Sequence, residues 1–333
     1  MRKKIIIGIL LVIVVIIVGI FYSVKQKPTT EQMTKFTLSV NSWVGYGPFW
    51  LAQEKGFFEN EGVDVNIVSM EDTAQRKSAM IKGDIDGLGD TIDLLVLERD
   101  EGVPAVAVME VDVSNGADGI LVTDDIKSVQ DLKGKKIAVQ RNFVSEAFLD
   151  YVLQKNNILS SDVQKIDTEA GAAGAAFVSG NVDVAVTFEP WLSKARERKG
   201  GGKVLVSSAD EPGVVVDILT INENYLKNNS EVVKKVMRAW FQAIDYWKLN
   251  QKEANTIMAK HYNLPIEEFS DIISGLIWPN YQENIFYFGQ NESGRIWEVA
   301  NTFIDVFLKT GQIKNKPDIT KAINSELLKN LYD

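Results

Sequence analysis

The stretch Phe36-Thr-Leu-Ser-Val40-Asn-Ser-Trp43-Val-Gly-Tyr46-Gly-Pro-Phe-Trp-Leu-Ala-Gln-Glu-Lys-Gly56-Phe-Phe58 holds a short apolar run, a turn and a longer apolar pattern. Phe36 to Val40 has the length and alternation of a strand, and Gly47-Pro48 opens a helix read over Phe49 to Phe58. The same succession repeats downstream. Val63 to Val68, Ile85 to Leu88 and Ala105 to Met109 read as strands, with helices over Ala74 to Ile81 and Ile92 to Arg99. Regular alternation of this kind predicts a largely parallel sheet covered on both faces.

A second series begins after residue 135. Lys136 to Val139, Val163 to Ile166, Val182 to Val186 and Val204 to Val206 read as strands. Glu146 to Gln154, Ala172 to Val178 and Trp191 to Glu197 read as helices, and Gly200-Gly201-Gly202 breaks the chain. Beyond Val214 the pattern turns helical. Val232, Val233, Val236, Ala239, Trp240, Ala243, Ile244 and Trp247 share one face of a helix over Ser230 to Leu249, with Ser230 as its expected N-cap. Two extended segments, Asp118 to Thr123 and Val214 to Ile221, sit where the series change. A chain crossing at the first and returning at the second gives two α/β lobes, a two-strand hinge and helical C-terminal additions. The expected boundaries are residues 36–117 with 219–333 for one discontinuous lobe and 118–218 for the other. A cleft between such lobes is a ligand site, because strand ends and helix starts of both point into it.

Residues 1–35 differ in kind. Arg2, Lys3 and Lys4 precede an apolar run from Ile5 to Tyr22, about the minimum length for a membrane span. Small residues spaced around a cleavage site are missing, so the segment reads as an uncleaved signal anchor with the rest of the chain on the extracytoplasmic face. The chain of 333 residues has no cysteine, which excludes a lipidated-cysteine tether, disulfides and thiolate metal sites. Residues 1–35 hold six basic side chains and one acidic, leaving 30 basic against 44 acidic in the remainder, a net charge of −14. Nucleic acid is excluded as a partner on that balance.

Several stretches together resemble the solute-binding proteins of ABC importers for nitrate, sulfonates, taurine and thiamine-pyrimidine precursors. They are Trp43 to Phe58 above, Gly83-Asp-Ile-Asp86-Gly, Ser128-Val-Gln-Asp-Leu-Lys-Gly-Lys-Lys-Ile-Ala-Val139, Phe177-Val-Ser-Gly180-Asn-Val-Asp183-Val-Ala-Val and Thr187-Phe-Glu189-Pro190-Trp191, in that order. The resemblance implies a type II periplasmic-binding-protein-like fold: a two-lobed, hinge-closing monomer that clamps a small molecule and presents it to permease and ATPase subunits. Relatives on this scaffold that became enzymes need a cysteine nucleophile, or a histidine with a cysteine-rich iron segment. This chain has only His261 and no cysteine, so the expectation is a binder, not an enzyme, without cofactor or metal.

Each candidate ligand-binding residue has a structural alternative. Trp43 and Tyr46, in a turn at the cleft mouth, form an aromatic wall or else pack beneath the loop. Asp90 and Thr91 begin a helix at a strand end, where they meet ligand or merely cap. Asp118 at the first crossing and Asp217 at the second, together with Asp112, await a cation or serve as turn formers. Asn142 and Ser145 open the first helix of the second lobe, with the same two roles available. Glu189 ends a strand with Pro190 at the first helical position and Trp191 beside it, a combination suited to an amino, amidine or protonated ring nitrogen; the alternative is a capping Glu and a packed Trp. Trp240, Trp247, Trp278 and Trp297 read as packing residues, and His261 as a surface or capping residue.

This set of acidic and aromatic side chains points to a small polar nitrogen-containing solute, cationic or heterocyclic. A sulfonate or taurine-type anion is the alternative, since backbone N–H groups hold anions unaided. A sensor working with a separate signalling partner is the other.

Overall fold

Eleven strands are found in the computed structural model, which describes residues 33–289 and 292–333. In chain order they are β1 (Thr34–Val40), β2 (Val63–Ser69), β3 (Gly87–Thr91), β4 (Ala105–Ser114), β5 (Asp118–Val122), β6 (Lys136–Val139), β7 (Gln164–Asp167), β8 (Val184–Phe188), β9 (Lys203–Ser207), β10 (Val216–Asn222) and β11 (Leu276–Ile277). They make a six-stranded sheet, β11-β4-β10-β3-β1-β2, and a five-stranded sheet, β7-β6-β8-β5-β9. Between β4 and β5, and again between β9 and β10, the chain passes from one sheet to the other.

Those two passages correct the expectation of largely parallel sheets. β1 and β3 are parallel, as are β6 with β7 and β8. By contrast β10 runs antiparallel to both β3 and β4, and β5 antiparallel to both β8 and β9. A strand that enters from the other sheet arrives without a crossover helix and so has no need to run with its neighbours.

The local elements follow the apolar spacing, with three informative departures. The helix read over Phe49 to Phe58 is split into Gly47–Glu54 and Phe57–Asn60, because Gly56 adopts φ 72°, a left-handed conformation that glycine tolerates. Ser230 is the first helical residue of Ser230–Leu249 and not its cap; Asn229 precedes it, with no capping side-chain hydrogen bond. Pro190 follows a cis peptide bond from Glu189 and lies in a turn, where Trp191 N–H bonds Phe188 O at 3.1 Å; the helical segment is the 3₁₀ turn Ser193–Glu197.

Packing centres on Trp240, fully buried, whose ring lies 4.3 Å from that of Phe49 between the Ser230–Leu249 and Gly47–Glu54 helices. Trp278 and Trp297 are buried as well, as their spacing implied. The Arg295–Thr310 helix packs against both Ile92–Asp100 and Val144–Lys155, so one element touches a helix following each sheet's cleft-facing strands. No helix among the described residues is long and apolar enough to cross a membrane. The apolar run Ile5 to Tyr22 falls outside the described residues.

Candidate functional site

Three neighbouring strands of the larger sheet set Asp112, Asp217 and Thr91 in one row, since Asp217 on β10 pairs with Asp112 on β4 and with Thr91 on β3. Asp90 is one register step away, opposite Ile218. From the smaller sheet, Asp118 opens β5 and Phe188 closes β8, directly paired with each other. Together these strand ends face a narrow cleft with a cavity volume of about 20 Å³, on the scale of a single water molecule. Trp43, Tyr46, Arg76, Asp90, Thr91 and Asp217 line one side of it, and Asp118, Phe143, Val144 and Phe188 the other.

The aromatic groups are held by carboxylates. Trp43 Nε1 donates to Asp112, 3.2 Å from Oδ2 and 3.4 Å from Oδ1. Tyr46 OH donates to Asp217 Oδ1 at 2.5 Å. Trp43 also meets Phe188 edge to face across the cleft, ring centroids 5.7 Å apart. Both alternatives read for these rings meet here, since they line the cleft and are also packed: Trp43 is 7% exposed and Tyr46 1%. Later segments cover them: Tyr262, just past the Gln251–His261 helix, bonds Trp43 O through its OH at 3.0 Å, and Trp278, just past β11, bonds Gly45 O through Nε1 at 2.8 Å. Gly45 is required at this turn, because a Cβ there would lie 2.0 Å from Asp112 Oδ2 and 2.3 Å from Trp43 Nε1.

Charge at the site is one-sided. Asp90, Asp93, Glu98, Asp112, Asp118 and Asp217 are all buried, and Glu110 lies beside Asp112's strand position, also buried. Arg76 is the buried cation among them, its Nη2 donating to Gly89 O. Removal from water dominates every one of these titrations and raises the carboxyl pKa. Asp93 is pushed up to about 7 by burial, with the Asp90 and Asp118 charges adding to the rise and a Thr91 hydrogen bond opposing it. Asp118 also reaches about 7, burial again leading, opposed by a Ser114 hydrogen bond and reinforced by the Glu189 charge. Asp112 and Glu110 rise to about 8 for the same leading reason. Asp217 is raised well above the usual range by burial and by the Asp112 charge; Asp90 is raised by burial but held down by Arg76. Such a site favours either protons or a cation from outside.

Of the ten candidate residues, six come together here: Trp43, Tyr46, Asp90, Thr91, Asp118 and Asp217. Asp90 and Thr91 do so as the last residues of β3, one step earlier than the helix start at which they were expected. The other four lie elsewhere. Glu189 accepts from Ser193 N at 3.0 Å and Ser193 Oγ at 2.8 Å, closing its own turn, and lines a separate recess with Lys203 and Ser207. Trp191 packs on Gly174, where a Cβ would meet its ring system at 2.4 Å, with Lys194 Nζ 5.5 Å from the ring centroid. Asn142, at φ 52°, donates its N–H to Glu146 Oε2 at 2.8 Å and borders an outer recess with Arg141 and Asp167. Ser145 is buried, its hydroxyl 3.5 Å from Gln140 O.

Arg76, Phe143, Val144 and Phe188 line the cleft without having been expected there. Phe188 was within reach, being the residue before Glu189 in a stretch already singled out. Glu110 also left a trace, as a second charge beside Asp112 inside the otherwise apolar Ala105–Ser114 strand. Arg76 left none, since one arginine on an amphipathic helix looks solvated.

Among solved structures, the alkanesulfonate-binding protein SsuA from Xanthomonas axonopodis pv. citri bound to MOPS superposes with TM-score 0.72 at 19% identity, over 87% of this chain and 98% of that one. The periplasmic nitrate-binding protein NrtA from Synechocystis PCC 6803 gives 0.70 at 15% identity, over 90% and 88%. The desulfurization enzyme DSZB gives 0.63 at 14%, over 90% and 98%. These likenesses establish the type II periplasmic-binding-protein fold. In sequence, a candidate binding protein of Bacillus subtilis (strain 168), YtlA, is 24% identical over 312 residues, 89% of this chain and 90% of that one. A candidate aliphatic sulfonates-binding protein of Escherichia coli (strain K12) is 29% identical over 194 residues, 57% and 60%. Residues 43–254, which include every candidate residue named above, match the family described as NMT1/THI5 like, and the chain belongs to that family.

Proposed function

We propose that this chain is the extracytoplasmic substrate-binding protein of an ABC importer and that it captures a small, polar, nitrogen-containing cation by closing two lobes around it. In this proposal the lobes are residues 36–117 with 219–333, and 118–218; residues 1–35 anchor the protein to the membrane, and it works as a monomer without catalysis. The carrying observation is the buried acidic cleft, in which Asp90, Asp118 and Asp217 line the cavity and Arg76 is the cationic side chain among its lining residues. A cation entering there neutralises carboxylates that burial has made costly to ionise. Trp43, Tyr46 and Phe188 add ring faces and edges able to contact it.

A second function, binding of a sulfonate-type anion, draws support from the names of several relatives and from Arg76 in the cleft wall. Thermal unfolding of residues 35–333, which form one compact unit, separates the two. Alkylammonium ions and protonated heterocycles are expected to raise the midpoint with concentration, while nitrate, taurine and methanesulfonate leave it unmoved. Stabilisation by the anions alone overturns the cation proposal.

A further inference from the structure

Resting on the cation-binding proposal, we infer that the cleft selects a cation carrying two or more N–H donors, a primary ammonium or an amidinium, and discriminates against a fully alkylated ammonium. Two observations lead there. The first is the state of the acceptors. Asp118 is 5% exposed, lines the cleft, and its Oδ2 has no hydrogen-bond partner. On the opposite wall Asp90 Oδ1 accepts from Thr91 N at 2.9 Å while Oδ2 is likewise without a partner. Asp90 already has the Arg76 charge beside it, so Asp118 is the sharper of the two. A buried carboxylate oxygen wants a donor as well as a positive charge. An N–H cation supplies both, and a quaternary ammonium supplies charge alone.

The second observation is the arrangement of the rings. A methylated ammonium is recognised by rings standing apart around an open box. Here Trp43 and Phe188 touch, 5.7 Å between centroids at an interplanar angle of 81°, and Trp43 is tied to Asp112 through Nε1. Opening a box between them requires Trp43 to leave a buried hydrogen bond. A metal ion is a poorer fit than an organic cation, because among the described residues no group of three or more His, Asp or Glu side chains is disposed to hold one.

The test is calorimetric titration of the full chain, in detergent, with the chlorides of methylammonium, acetamidinium and tetramethylammonium, and with sodium methanesulfonate, at constant ionic strength. Methylammonium or acetamidinium is expected to bind at least about tenfold more tightly than tetramethylammonium, the scale of one charge-assisted hydrogen bond. In Asp118→Asn, with a single cooperative unfolding transition as proof of folding, that preference is expected to shrink to within about threefold. Equal or tighter binding of tetramethylammonium overturns the inference and leaves the cation proposal standing. Binding of methanesulfonate with no cation bound overturns both, as does binding of none of the four. A preference that survives intact in folded Asp118→Asn also overturns the assignment to Asp118.

Discussion

Tyr46 shows at the scale of one residue how an aromatic can be both packed and polar. Its ring is buried against Gly89, where a Cβ would come within 2.6 Å, and its hydroxyl is the donor found on Asp217 Oδ1. Burial leads the rise of its own pKa well above the ordinary value, with the Asp217 charge next, so it stays a donor throughout the physiological range. Tyr46→Phe removes that donor and leaves a buried carboxyl short of one. A loss of about 1 to 3 kcal/mol is expected in denaturant unfolding. No loss would mean that Asp217 is protonated and satisfied without Tyr46.

Elements position the cleft through networks that reach beyond the strands. Glu146, in the first turn of the Val144–Lys155 helix, accepts from Lys165 Nζ at 2.9 Å, and Asp150, one turn later, accepts from the same nitrogen at 2.7 Å. Lys165 sits on β7 and is 9% exposed in its side chain, against 1% for Glu146. This ties the helix whose start forms a cleft wall to the edge strand of the smaller sheet, and Gln312 Nε2 joins at 3.1 Å from Glu146 Oε2. Burial raises the Asp150 pKa while Lys165 opposes it. Lys165→Ala leaves Asp150 without its cation and Glu146 with only Arg141, 3.5 Å from Oε1, and is expected to cost about 3 to 5 kcal/mol. The same substitution made with Glu146→Gln and Asp150→Asn should recover most of that loss, as a triple-variant unfolding series would show.

Taken over the whole molecule, the acidic cleft links stability to pH. Asp93 and Asp118 at about 7, and Asp112 and Glu110 at about 8, lie above the values that carboxyls have in an unfolded chain. Groups facing them include Arg76 from the Thr73–Lys82 helix, Asp90 from β3, Glu98 from Ile92–Asp100, Asp217 from β10 and Glu189 after β8. With folded pKa values raised, the native state binds more protons between about pH 4 and 8, so this contribution is complete below about pH 4 and is lost as pH rises through 7 to 8. The midpoint of the ligand-free protein is therefore expected to fall by several degrees between pH 5.5 and 8.5, in a scan at constant ionic strength. A flat profile over that window would place the carboxyls at ordinary values.

The amino-acid sequence by itself determined the alternation of strand and helix, the points near Asp118 and Val214 where the chain changes sheet, and the Ser230–Leu249 helix to within one residue at its start. Those features rest on local periodicity and length, which short windows carry. It also brought six of the ten candidate residues to one cleft, because strand ends of an α/β sheet face the same crevice whatever the loops do. Tertiary structure alone decided the rest. The antiparallel entry of β10 set Asp217 between Asp112 and Thr91, each more than a hundred positions away from it in the chain. Cover from Tyr262 and Trp278 buried Trp43 and Tyr46, and Arg76 turned inward where its helix looked solvated. Glu189 accepts from the N–H and hydroxyl of Ser193 in its own turn, a local pairing that only the folded turn reveals.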